Sequence, residues 1–263
     1  MSIALDFGQY QIRSLRRKEN RLVSRHVRSV YTALPDSLER RNTLEKVHVP
    51  YAVSERELLI IGDAADEYSQ MFQVPCIPLL PGGKVPSDDP PARQILGAIV
   101  DSLLPEPTEE NETCGLTIPG DSLSQQTGMI DPTTGFLRRL IQLRGYKPVI
   151  LSAGMALALA ELVSHSFTGI GMSIGAGSCD VSLTHHGFEI ARCVVPRGGN
   201  WIDEQIAHQW KNYSWDVTGN QYLDTDNVSR WKQGFEGSLL EPKNVREQLL
   251  SDLYTELLGY VIQ

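Results

Sequence analysis

Two short glycine-bearing segments carry most of the chemistry this chain offers. One is Asp6-Phe7-Gly8-Gln9-Tyr10, after the apolar run Ile3-Ala4-Leu5; the other is Gly175-Ala176-Gly177-Ser178-Cys179-Asp180, after Gly171-Met172-Ser173-Ile174. Each reads as an apolar strand, a tight turn and a second, alternating strand. Glycine in such a turn lets backbone N–H groups approach an anion with no side chain in the way. Two turns of this kind, one per half of the chain, suit the gripping of a polyphosphate. Asp6 and Asp180 stand beside the turns. Each is placed to close its own turn through side-chain to backbone bonds.

The elements that must position these turns follow from periodicity. Strands are expected at Ile3–Asp6, Gln11–Arg16, Arg21–Val27, Val47–Val53, Leu58–Ile61, Thr113–Ile118 and Lys147–Ser152, with Pro78 through Pro91 as loop. Helical spacing marks Gln94–Leu104, Thr134–Leu143 and the Ala/Leu-rich Gly154–Ser164. The second half restarts with strands at Gly169–Ile174, Cys179–Thr184 and Phe188–Val195. Helices follow at about Trp201–Lys211, Asp226–Phe235 and Asn244–Ile262, the last with Val245, Leu249, Leu253, Leu257 and Val261 four apart. A meander followed by helices, occurring twice, implies a duplicated α/β unit.

Composition narrows the class. At 263 residues, 41% hydrophobic and 21% charged, the chain is long enough for about two globular domains. A net charge of −8 argues against a nucleic-acid partner. No apolar run approaches the ~20 residues that span a bilayer, and the first residues lack a basic-then-apolar leader, so a cytoplasmic location is expected. Cys76, Cys114, Cys179 and Cys193 are widely spaced without a CxxC pair, which reads as reduced core thiols rather than disulfides or zinc. His185-His186 reads as a hairpin tip, and the four tryptophans as packing residues.

The motifs in this order resemble the actin-like ATPase superfamily, nearest to MreB-like and FtsA-like bacterial proteins, with DnaK-type chaperones next. Asp6-Phe7-Gly8 resembles its first phosphate loop, and Leu116-Thr117-Ile118-Pro119 its apolar strand ending in Val-Pro. Met155 to Ala160 resembles its connecting helix, Gly175 to Asp180 its second phosphate loop, and Gly198-Gly199-Asn200-Trp201-Ile202-Asp203 the segment that follows. The resemblance implies duplicated RNase H-like domains with a cleft between them: residues 1–167 as domain I and 168–263 as domain II. Domain II is expected to be incomplete, because nothing after Asn244 resembles the family's closing adenosine loop. It implies ATP or ADP with Mg²⁺ as ligand. Phosphate or nucleotide would be held by Gly8, Gln9, Tyr10, Arg13, Gly175, Ala176, Gly177, Ser178, Gly198, Gly199 and Lys232, and the metal shell by Asp6 and Asp180.

Three positions depart from that pattern. Ser173 stands where the second loop opens with aspartate, Ala153-Gly154 where the connecting helix opens with Glu-Pro, and Gln9 where the first loop has Thr or Ser. Serine carries no charge toward a metal-bound water, and alanine orients no water at all. Each lost polar group costs ~10²–10³-fold in rate, so the chain is expected to be at most a weak ATPase with no assignable catalytic residue. The function read from the sequence is nucleotide binding in a cytoskeletal, division-associated or chaperone-like setting, with self-association or a protein partner. The alternative is a scaffold that keeps the fold without the nucleotide.

Overall fold

The structure, a computed structural model, describes residues 3–120, 131–215 and 219–262. The chain divides into two compact units, Met1–Ser152 and Ala153–Gln263.

The first unit runs β1 (Ile3–Phe7), β2 (Gln11–Lys18), β3 (Arg21–Arg28), β4 (Val30–Pro35), α1 (Leu38–Lys46), β5 (Tyr51–Ser54), β6 (Glu57–Ile61), α2 (Asp63–Phe72), β7 (Ile77–Pro78), α3 (Pro90–Leu103), β8 (Thr113–Thr117), α4 (Pro132–Leu143) and β9 (Lys147–Leu151). Its main sheet has the order β3-β2-β1-β8-β9, antiparallel through the opening meander and parallel from β1 through β8 to β9. Strand alternation sets the core: Ile3, Leu5 and Phe7 point inward with Ile12, Cys114 and Leu116, and meet the apolar stripes of α3 and α4. Both helices start on an aspartate followed by proline. Asp89 accepts from Ala92 N at 2.9 Å and Asp131 from Thr134 N at 3.0 Å, satisfying N–H groups that the helix leaves open.

A second, antiparallel sheet, β5-β6-β4-β7, is inserted between β3 and α3 and carries its own small core of Leu34, Leu44, Leu58, Ile60 and Ala65. Here the sequence expectation was incomplete. The strand expected at Val47–Val53 is in fact β5 alone, and Leu38–Lys46 before it is helical. That helix buries only Leu44, so it has no apolar stripe to reveal it; its signal is Ser37, whose hydroxyl accepts from Arg40 N.

The second unit comprises α5 (Ala153–Glu161), β10 (Gly169–Ile174), β11 (Cys179–His185), β12 (Phe188–Val195), α6 (Gly199–Trp210), β13 (Tyr213–Trp215), β14 (Gln221–Leu223), α7 (Asp226–Gln233) and α8 (Val245–Ile262). β10, β11 and β12 repeat the antiparallel meander that opens the first unit. α5 lies on one face of β10 and β11. The core joins Cys179, Ile202, Ile206, Val228, Leu250 and Leu257. On α8 the buried line is Leu250, Leu253 and Leu257, and Val245 at its start is 86% exposed. The expected apolar face therefore holds through the middle of the helix and not at its first turn. Burial pushes the Cys114 thiol up to about 12 and raises that of Cys179, as expected of core thiols, whereas Cys193 is exposed.

Candidate functional site

The first glycine turn joins β1 to β2. A Cβ on Gly8 would stand 2.6 Å from the Gln11 carbonyl oxygen, so only glycine closes this hairpin without moving backbone. Asp6 lies directly opposite Arg13 on β2 and Thr117 on β8. Its Oδ1 accepts from the Thr117 hydroxyl at 2.6 Å. Thr117 is a neighbour the sequence reading quoted but did not assign. Arg13 turns to its own strand: with the Gln11 amide oriented to match its surroundings, the amide oxygen accepts from Arg13 Nε at 3.2 Å and Nη2 at 2.7 Å. The Gln9 amide nitrogen lies 3.0 Å from where a Gly83 Cβ would be, and Pro119 borders the same spot. The turn Pro81–Gly83, inside the expected loop, thus reaches the phosphate-loop candidate. Tyr10 carries the Arg28 guanidinium 3.9 Å above its ring and accepts a hydrogen bond from it.

The second turn joins β10 to β11 and docks on the start of α6. Gly175 N donates to Ser178 O at 2.9 Å. The Gly175 and Ala176 carbonyls then accept from Gly199 N (2.9 Å) and Asn200 N (2.7 Å). A Cβ on Gly198 would meet those carbonyls at 2.4 and 2.7 Å, which gives the Gly-Gly pair a steric reason. The α6 N-terminal donors are therefore spent on the loop's carbonyls. Those bonds leave the turn's own N–H groups, on Ala176, Gly177 and Ser178, without a partner among the described residues.

Asp180 and Ser173 face each other across β10 and β11. The Asp180 carboxylate is buried: Oδ1 accepts from Gly154 N at 3.0 Å, in the first turn of α5, and Oδ2 from Arg192 Nε at 3.0 Å and from Arg192 Nη2. Side-chain exposure of 9% for Asp180 and 12% for Arg192 makes this a largely desolvated ion pair. Nothing in the sequence singles out Arg192; only strand register brings it beneath Asp180.

Lys232, on α7, donates to Gly199 O at 2.6 Å and lies 2.8 Å from Asp203 Oδ1 on α6. It thereby ties α7 to the helix start that holds the loop. Burial pushes the Asp203 carboxyl above its ordinary 3.8, and Lys232 only partly offsets the shift. The folded state therefore binds this proton more tightly than the unfolded chain does. The stability difference between the wild type and Asp203→Asn should fall as pH rises from about 3.8 through the raised value. Denaturation midpoints of both proteins across that range measure it, and a constant difference would refute the shift.

Among the described residues no three His, Cys, Asp or Glu side chains converge on one point. Among those residues no helix is long and apolar enough to cross a membrane. His185 and His186 meet edge to face, ring centroids 4.4 Å apart, at the β11–β12 turn, the hairpin tip expected there. Trp210 and Trp231 pack together, whereas Trp215 is 67% exposed.

Comparisons with known proteins bear on the fold. MreB5 of Spiroplasma citri bound to AMPPNP is 16% identical, with a TM-score of 0.65 over 99% of this chain and 77% of that one. The same protein bound to ADP gives 0.63 over the same shares, also at 16% identity. The ethanolamine utilization protein EutJ from Carboxydothermus hydrogenoformans gives 0.51 at 14% identity, over 98% of this chain and 69% of that one. No curated protein matches. At these identities the likeness establishes the fold, an actin-like α/β architecture. The family model named Volactin matches residues 1–263, and the chain belongs to that family.

Proposed function

We propose that the chain binds a nucleotide, ATP or ADP with Mg²⁺, and hydrolyses it slowly or not at all. The observation that carries this reading is the second turn: Ala176, Gly177 and Ser178 offer three neighbouring backbone N–H groups with no partner among the described residues. Such a cluster fits a phosphate. Gly8, Gln9, Tyr10 and Arg13 would serve the phosphates at the first turn, and Lys232, beside Gly199, would fix the helix that supports the second. Mg²⁺, when bound, would neutralise phosphate charge. Asp6 is the carboxylate that would take its hydration shell, since Asp180 is engaged by Arg192 and Gly154. Support for a nucleotide also comes from the MreB5 structures, solved with AMPPNP and ADP. Ser173 and Ala153 supply neither a metal-facing carboxylate nor a water-orienting one, which keeps turnover low. The setting we favour is cytoskeletal or division-associated, with self-association or a protein partner, in the cytoplasm.

The second reading, a scaffold without nucleotide, has one observation in its favour: the Asp180–Arg192 pair occupies a carboxylate that the metal would otherwise use. A thermal-shift titration with MgATP, MgADP and EDTA separates the two. Binding to the native state raises the melting temperature, by about 2.7 kcal/mol of stability at a hundred times Kd. A saturable, Mg²⁺-dependent rise that Asp6→Asn weakens supports the binder. A flat response at millimolar nucleotide sinks it.

A further inference from the structure

Charge is unevenly placed in the first unit. Residues 11–28, which form β2 and β3, hold seven of the chain's 24 Lys and Arg against a single acid, Glu19: a net charge of +6 in a chain whose total is −8. Arg13, Arg17, Lys18, Arg21 and Arg25 are exposed. No carboxylate of a described residue pairs with any of them. A solvated sheet face would ordinarily mix both signs, so the one-sided charge needs a reason.

The same strands have an open edge. β3 ends the sheet, and its eight residues pair with β2 from Gln11↔Arg28 to Lys18↔Arg21 without a bulge or a proline. Two other segments come close to the strand: Arg25 Nη1 donates to Ser102 O on α3 at 3.3 Å, and at the far end a Cβ on Gly62 would lie 3.1 Å from Val27 Cγ1. From Arg21 to His26 no described residue pairs with the outer backbone groups of β3. A long edge strand without a bulge or a proline is a template for one more strand.

Charge selects the strand. A second copy pairing edge to edge would set arginine against arginine, so the cations guard against self-pairing. They leave the edge complementary to carboxylates. Lipid headgroups and nucleic acids match the charge but leave the row of backbone donors and acceptors unused; an extended peptide satisfies both. Cations project from both faces of the hairpin, since Arg13 and Arg17 alternate with Lys18 on β2 and Arg21 and Arg25 alternate with His26 on β3. The added strand should therefore carry acids on both of its faces.

We propose that the outer edge of β3, from Arg21 to His26, takes an acidic extended segment of a partner protein as an added strand. The test uses the full chain and a fluorescein-labelled ten-residue peptide of glutamate, aspartate and valine. A peptide of equal charge with two central prolines serves as control, together with phosphatidylserine vesicles and duplex DNA. We expect saturable anisotropy with the first peptide and slowed amide exchange confined to residues 21–26. We also expect at least tenfold weaker binding to Lys18→Glu with Arg21→Glu, a variant whose melting temperature should match the wild type. Equal affinity for the proline-bearing peptide would overturn strand addition. Tighter binding to vesicles or DNA than to the peptide would overturn the choice of partner, and unchanged binding to the charge-reversed variant would overturn the site.

Discussion

Gly171→Ala is expected to destabilise the second unit by at least about 3 kcal/mol, one of the largest effects available from a single methyl group. A Cβ on Gly171 would sit 1.9 Å from the Gly154 carbonyl oxygen and 3.1 Å from Ala158 N. The contact is reciprocal: a Cβ on Gly154 would meet Gly171 O at 2.7 Å, Ser182 N at 2.7 Å and Ser182 Oγ at 2.8 Å. Almost all of these atoms are backbone, so no rotamer change relieves the clash. α5 would have to rise from the sheet by roughly 1.5 Å to restore an ordinary separation of about 3.5 Å. That movement would part α5 from β10 and β11 and stretch the Gly154–Asp180 hydrogen bond. All four tryptophans lie between Trp201 and Trp231, so intrinsic fluorescence reports unfolding of this unit. Gly259→Ala, where a Cβ has open space within α8, is the matched control and should stabilise by about 0.5–1 kcal/mol. If Gly171→Ala unfolds at the wild-type denaturant concentration, the close crossing of α5 over the sheet is wrong.

This crossing also shows what sequence alone left out. Both glycine turns, both meanders and the order of the motifs were legible, because strand alternation and tight-turn glycines are local signals. The repeat of the opening meander as β10–β12 could be read for the same reason. The inserted sheet was legible only in part. β4 escaped because adjacent Tyr31 and Thr32 are both buried, so it does not alternate; α1 escaped because a nine-residue helix with one buried leucine has no periodic face; and β13 and β14, three residues each, are too short to alternate visibly.

At the candidate site the sequence displayed substitutions but not their replacements. Ala153-Gly154 could be seen to lack Glu-Pro. That the Gly154 N–H supports Asp180, a bond proline cannot make, depends on a residue 26 positions away. Likewise Ser173 could be seen to lack a charge, yet the cation now facing the remaining carboxylate comes from β12. Contacts set by register between strands have no one-dimensional signature, which is why Arg192 and the Thr117–Asp6 bond were missing from the reading. Taken together, the Gly154 N–H and the Arg192 guanidinium enclose the Asp180 carboxylate in a buried pair.

Asp180→Asn should therefore cost about 3–5 kcal/mol, since it strips a buried guanidinium of its carboxylate while the surrounding backbone stays in place. Arg192→Met should cost a comparable amount by leaving Asp180 charged and desolvated, although Gly154 N continues to donate to it. The double variant should be less destabilised than the sum of the singles, by a coupling of about 0.5–3 kcal/mol, because neither charge is then stranded. Fluorescence-monitored denaturation of the four proteins gives the coupling directly, and additive losses would mean that the pair contributes nothing. The same four proteins test the metal assignment. Asp180 in the role of a Mg²⁺-shell ligand requires nucleotide stabilisation to vanish in the double variant even at temperatures where it is fully folded. Asp180 as the post beneath the loop requires that stabilisation to survive. The bonds to Gly154 and Arg192 favour the second outcome: with the turn still docked on α6 through Gly199 N and Asn200 N, the donors on Ala176, Gly177 and Ser178 keep their positions without Asp180.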